Sequence, residues 1–111
     1  MADRSRPPRS ARAGAALRRV QRVAAAPPGS LPAEELRHAL TTITTCERFW
    51  RHALQHQANS CAEARAGVQA GRLSQRQWET RVARRLRHQR RLEELATLRD
   101  RLHLLLGQVP R

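Results

Sequence analysis

A seven-residue apolar repeat running from Leu36 to Val68 constrains this chain more than any other feature. One row reads Leu36, Ile43, Trp50, Gln57, Ala64 and the second reads Leu40, Glu47, Leu54, Cys61, Val68. Spacings of three and four place both rows on one face of an α-helix, whereas the period of two in a strand would divide them between faces. Glu47 and Gln57 are the polar interruptions. Ala39, Cys46 and Ala53 border the seam and allow a neighbouring helix to approach closely. The pattern predicts an amphipathic helix over about 31–69, roughly 57 Å long at 1.5 Å per residue. Ser30 is its expected cap and Pro32 falls in its first turn. Glu34 and Glu35 then sit near the positive end of the helix dipole.

The next signals mark a reversal. Gly67 and Gly71 bracket the end of the first helix, and Leu73-Ser74-Gln75-Arg76-Gln77-Trp78 follows. Ser74 with Gln77 reads as a capping box, and Leu73 with Trp78 as a hydrophobic staple. A second helix is therefore expected over about 75–106, with Gly107 as its stop and Pro110 preventing continuation. So short a connection implies an antiparallel hairpin. Along the second helix Trp78, Val82 and Leu86 form one stripe. Leu92, Leu95, Leu98, Leu102, Leu105 and Leu106 form another, rotated by more than a quarter turn. This leucine-rich end carries more apolar surface than one facing helix terminus covers. These six leucines are the expected partner-binding residues.

Residues 1–29 read as a disordered basic arm, with Pro7 and Pro8 near the start and Pro27, Pro28 and Gly29 at the close. Within it, Ala13, Ala16, Leu17, Val20 and Ala24 share one face, flanked by Arg12, Arg18, Arg19 and Arg22. That piece is expected to become helical when bound. The fold class that follows is all-α: an antiparallel two-helix, coiled-coil-like hairpin over 30–107, a disordered Arg/Pro/Ala-rich arm, and a short tail at 108–111. About 80 folding residues make a small core, of the kind that partners or self-association often complete.

The charge is lopsided. The chain holds 22 arginines, no lysine and nine acids, a net charge of +13. The excess sits in two regions, 1–30 and 72–111, around a neutral middle. A GC-rich coding sequence would favour arginine over lysine whatever the function. The chemical part is that guanidinium pairs bidentately with phosphate and carboxylate. The expected polyanion-binding residues are Arg81, Arg84, Arg85, Arg87, Arg90 and Arg91 on the second helix, with Arg18, Arg19 and Arg22 on the arm. Phe49, Trp50 and Trp78 are the only aromatic residues, too few for a base-stacking platform.

Other chemistry is set aside. His52 and His56 share a helix face at the spacing of a zinc pair, but no third ligand stands at a set distance. Cys46 and Cys61 have 14 residues between them, about 22 Å on one helix, too far to pair within it. An antiparallel dimer would be needed to join them. The chain has no glycine-rich phosphate loop, nucleophile–base pair or carboxylate constellation, so neither enzyme activity, a cofactor nor a small-molecule substrate is expected. No apolar run reaches the roughly 18 residues of a membrane span, and no secretory leader is expected.

The function expected first is that of a non-enzymatic structural or adaptor subunit, docking through its hairpin onto a helical partner, a larger assembly or its own copy. The alternatives are a sequence-nonspecific nucleic-acid or acidic-surface binder and a small mitochondrial assembly factor whose arm is a presequence. The expected location is intracellular: nucleus or cytoplasm, or mitochondrion under the last alternative.

Overall fold

The computed structural model describes residues 9–110, and every regular element among them is helical. Helix α1 spans Arg9–Ala24, α2 spans Ala33–Gln69 and α3 spans Gln75–Gly107. The two long helices fall within two residues of their expected bounds. The third element is the correction: the chain is a three-helix fold, and α1 occupies much of the segment expected to be disordered. Residues 1–8 of that arm and Arg111 of the tail lie outside the described residues. Contacts divide the chain into two units. One contains α1, α2 as far as Glu47 and α3 from Leu95 onward; the other is Arg48–Glu94.

In the first unit, α1 buries Leu17, Val20 and Ala24, spaced three and four apart as a helix face requires. Only two of these are large, which is why the segment's composition resembles a disordered arm. The partner face supplies the rest. On α2 the buried residues are Leu36, Ala39, Ile43, Cys46 and Glu47, an arc of about 100° at 100° per residue. One neighbour would need only a narrower stripe. The Ala39 and Cys46 flank faces α1: Ala39, Thr42 and His38 line a groove of about 410 Å³ with Arg19, Val20 and Val23. Burial pushes the Cys46 thiol up from its ordinary range, and the Arg19 guanidinium offsets part of that shift. The opposite flank faces α3. There Arg99 donates through one guanidinium nitrogen to both carboxylate oxygens of Glu47, at 2.9 and 2.7 Å. The acid that interrupts the heptad row thus faces a cation from the neighbouring helix.

The leucine-rich end is largely enclosed by this arrangement. Leu95 and Leu102 are fully buried and Leu105 nearly so, while Leu98 and Leu106 are half-buried. The surplus apolar surface that the sequence leaves for a partner is covered in large part from within the chain. Arg101 adds a contact between α3 and the end of α1, donating to the Ala24 carbonyl at 3.4 Å.

The segment between α1 and α2 also departs from expectation. The Ser30 hydroxyl donates to the Pro27 carbonyl at 2.6 Å, and the Ser30 amide reaches the same oxygen at 3.1 Å. Ser30 is thereby engaged in a tight turn, with Gly29 at φ 78°, and does not cap α2. The Pro32 carbonyl opens that helix, accepting from the Leu36 amide at 3.4 Å.

The second unit is an antiparallel hairpin. Arg81 donates to the Ser60 carbonyl at 3.2 Å, and the Arg91 guanidinium lies 5.6 Å from the centre of the Trp50 ring. Moving ten residues back along α2, from Ser60 to Trp50, moves the contact ten residues forward along α3. At the reversal the Arg72 amide bonds the Gly67 carbonyl at 2.8 Å and the Gly71 amide bonds Val68 at 3.1 Å. This is the Schellman arrangement, with Gly71 left-handed at φ 76°. A Cβ on Gly67 would come within 2.8 Å of the Leu73 side chain, so the bare backbone there gives Leu73 its seat. The capping box forms as read: Gln77 N–H to Ser74 Oγ at 3.2 Å, and Ser74 N–H to Gln77 Oε1 at 2.7 Å.

Gly71 carries a direct test. Nothing lies within 4 Å of a Cβ placed there, so Gly71→Ala costs only the left-handed backbone, roughly 1–2 kcal/mol. Chemical denaturation should show that loss, and Gly71→Asn should restore part of it because Asn tolerates the conformation better. An unchanged Gly71→Ala midpoint would mean that the turn does not hold the hairpin's end.

Candidate polyanion interface

The seam of the second unit is thin. Its fully enclosed residues are Cys61, Ala64 and Gly67, all small. Trp50 is half-buried, with Phe49 edge-on at 5.1 Å and His88 at 5.2 Å. Trp50 Nε1 and Gln57 Oε1 are buried without a hydrogen-bond partner. Part of the cover comes from two of the arginines expected to bind polyanions. Arg81 is half-buried, and its guanidinium bonds Ser60 through the carbonyl and, at 3.4 Å, the hydroxyl. Arg91 is half-buried over Trp50 and pairs with Glu94 at 2.8 Å. Long arginine stems can cover apolar surface while the head group makes polar contacts, and both residues serve the hairpin in this way.

The other expected arginines of α3 are free of such work. Arg84, Arg85, Arg87 and Arg90 are exposed, as is Arg76. None of the five side chains pairs with a carboxylate among the described residues. Arg76, Arg84, Arg87 and Arg91 fall within an arc of about 80° at 100° per residue. Thr80 fills the vacant turn in this stripe and Arg90 adjoins it. From Arg76 to Arg91 the stripe runs about 22 Å at 1.5 Å per residue. Arg85 lies off the stripe, toward the other flank. His88 braces the run from the inside: its Nδ1 lies 2.8 Å from the Arg84 carbonyl. That oxygen can only accept, so Nδ1 carries a proton. The second unit as a whole holds eleven arginines against four glutamates, a net charge of +7.

Comparison with known proteins finds no matching family model, no similar curated protein and no similar solved structure.

The remaining expected site residues fall elsewhere. Arg18, Arg19 and Arg22 are exposed on α1, in the first unit. Leu92 is half-buried in the second unit, whereas Leu95, Leu98, Leu102, Leu105 and Leu106 belong to the first. Leu106 lines an open groove of about 340 Å³ with Ala33, Arg37, Val109 and Pro110. Among the described residues, the large apolar side chains most open to solvent are Leu86, at 47%, and Leu104, at 53%. Sequence reasoning placed Leu86 in a packing stripe and left Leu104 out. The position of Leu104, between inward-facing Leu102 and Leu105 on a helix, is the signal that it points elsewhere. His52 and His56 are both exposed. Among the described residues no cluster of three or more His, Cys, Asp or Glu is placed to hold a metal ion. No helix there is long and apolar enough to cross a membrane.

Proposed function

We propose that this chain is a non-enzymatic binding protein whose ligand is a polyanion, held by the arginine stripe of α3. One observation carries the reading. Arg76, Arg84, Arg87 and Arg90 are exposed on one side of a helix and have no carboxylate partner among the described residues. Arginines that only solvated the surface would be expected to mix with acids along the same stripe. Here the first acid on the stripe after Arg76 is Glu94, which Arg91 already engages.

Binding to phosphate-bearing probes, measured as a function of salt, tests the proposal. Arg84→Ala, Arg87→Ala and Arg90→Ala combined should lower the magnitude of the slope of log K against log salt by about 2–3, at 0.7–0.9 per lost contact. The helical content should be unchanged, because all three residues are exposed. Retention of the full slope in the triple variant would remove the reading.

A second reading, the adaptor subunit, draws support from the exposed Leu104. It relies on a much smaller apolar surface than the six leucines together. Leu104→Glu should abolish capture of a protein partner while the chain remains helical, and retained capture would count against it. The presequence alternative fits less well, because removal of α1 would take Leu17, Val20 and Ala24 out of the buried set.

A further inference from the structure

Resting on the polyanion reading, we infer that the α3 stripe takes the phosphate backbone of double-stranded nucleic acid, in preference to single strands or flexible polyanions.

The shape of the charge comes first. It is a narrow line about 22 Å long on one side of a single helix, not a broad patch. The adjoining exposed side of α3 carries Glu79, Leu86 and Glu93, which confine the favourable contacts to the line. A rigid duplex offers phosphates already fixed in rows and needs no ordering, whereas a flexible chain loses conformational freedom in following a line. The same acids beside Leu86 disfavour an anionic membrane, which a helix usually meets with an apolar face flanked by cations.

The aromatic residues give the second argument. Single-strand binders stack successive bases on exposed rings. Trp50 is engaged by Phe49, His88 and the guanidinium of Arg91. Trp78 is half-buried and lines a groove of about 310 Å³ near the reversal, with Arg65, Val68, Gln69 and Gln75. A single ring at one end of the hairpin does not make a platform. Arginines on the backbone and no rings for the bases is the chemistry of duplex binding without sequence readout.

The test uses the full chain and four probes: a DNA duplex, an RNA duplex, a single strand with the same number of phosphates, and linear inorganic polyphosphate. Either duplex should bind about tenfold or more tightly than the single strand and the polyphosphate. Its salt slope should be about −3 to −4, from four arginine contacts at 0.9 each. Reverting any one of Arg76, Arg84, Arg87 or Arg90 to Ala should reduce that slope by about 0.9. In a Trp50→Phe background, Trp78 is the only tryptophan, and its fluorescence should be unmoved by duplex. Equal or tighter binding of the single strand, with Trp78 quenched, would overturn the duplex inference and leave the polyanion function standing. Equal binding of polyphosphate would do the same. Binding of none of the four would overturn both.

Discussion

A chain without residues 1–24 is expected to lose the cooperative folding of its first unit. The deletion removes Leu17, Val20 and Ala24 from the buried set, and burial of a single Leu or Val side chain is worth about 1.5–3 kcal/mol. It also uncovers apolar surface on α2 and α3 that α1 shields. The combined loss is comparable with the whole 5–15 kcal/mol by which domains of this kind are stable. Thermal melting followed by circular dichroism should show a broad, early transition, and a dye that binds exposed apolar surface should fluoresce with the truncated chain and not with the full one. Leu17→Ala provides a milder version, costing about 2–5 kcal/mol if the cavity stays open. An unaltered melting midpoint in both variants would show that α1 is not part of the core.

The second large effect concerns Glu47 and Arg99. Glu47 is 6% exposed and receives two hydrogen bonds from Arg99. Removing one member of a buried pair typically costs about 3–5 kcal/mol, because the other charge is left in a poor solvent. The Arg99 side chain is 38% exposed and Glu47 keeps a further interaction besides Arg99, so Arg99→Ala is expected at about 1–2 kcal/mol, below that range. Replacing both residues, as Glu47→Leu with Arg99→Leu, should return stability to within about 1 kcal/mol of the parent or above it. Denaturant midpoints for the two single variants and the double variant would measure the coupling directly. If the double variant lost as much as the sum of the singles, the pair would have no special standing in the core.

Much of this fold is legible before any coordinates. The heptad rows place α2 to within two residues, and the Ser74–Gln77 pair fixes the start of α3 because its hydrogen bonds are local. Less legible is that Leu95, Leu102 and Leu105 are buried within the chain itself. Leu17, Val20 and Ala24 are buried with them in the first unit, but a helix of arginine and alanine between proline pairs has little apolar mass of its own, and its stability depends on packing in that unit. That tertiary contribution is invisible to composition. Ser30 fails for a related reason. A good capping residue is equally good in a turn, and Pro27, Pro28 and Gly29 decide the matter.

The candidate site divides along similar lines. Sequence identifies the cationic run but cannot sort its members, because half-burial of an arginine depends on what the facing helix offers. Ser60 offers a carbonyl, to which Arg81 donates, and Trp50 offers a ring, over which the Arg91 guanidinium lies. Arg84, Arg87 and Arg90 face no such groups.

The register of the hairpin has a consequence for how the chain can vary. The turn from Gly67 to Ser74 sets the phase of α3, and that phase both seats Arg91 on Trp50 and aims Arg84 and Arg87 at the solvent. One residue inserted after Glu79 would rotate the next turns by about 100°, sending a cation into the seam and an anchor out to water. Lysine scanning along the line would leave the helix's phasing intact, whereas a single-codon insertion would displace the anchor and the exposed cations together.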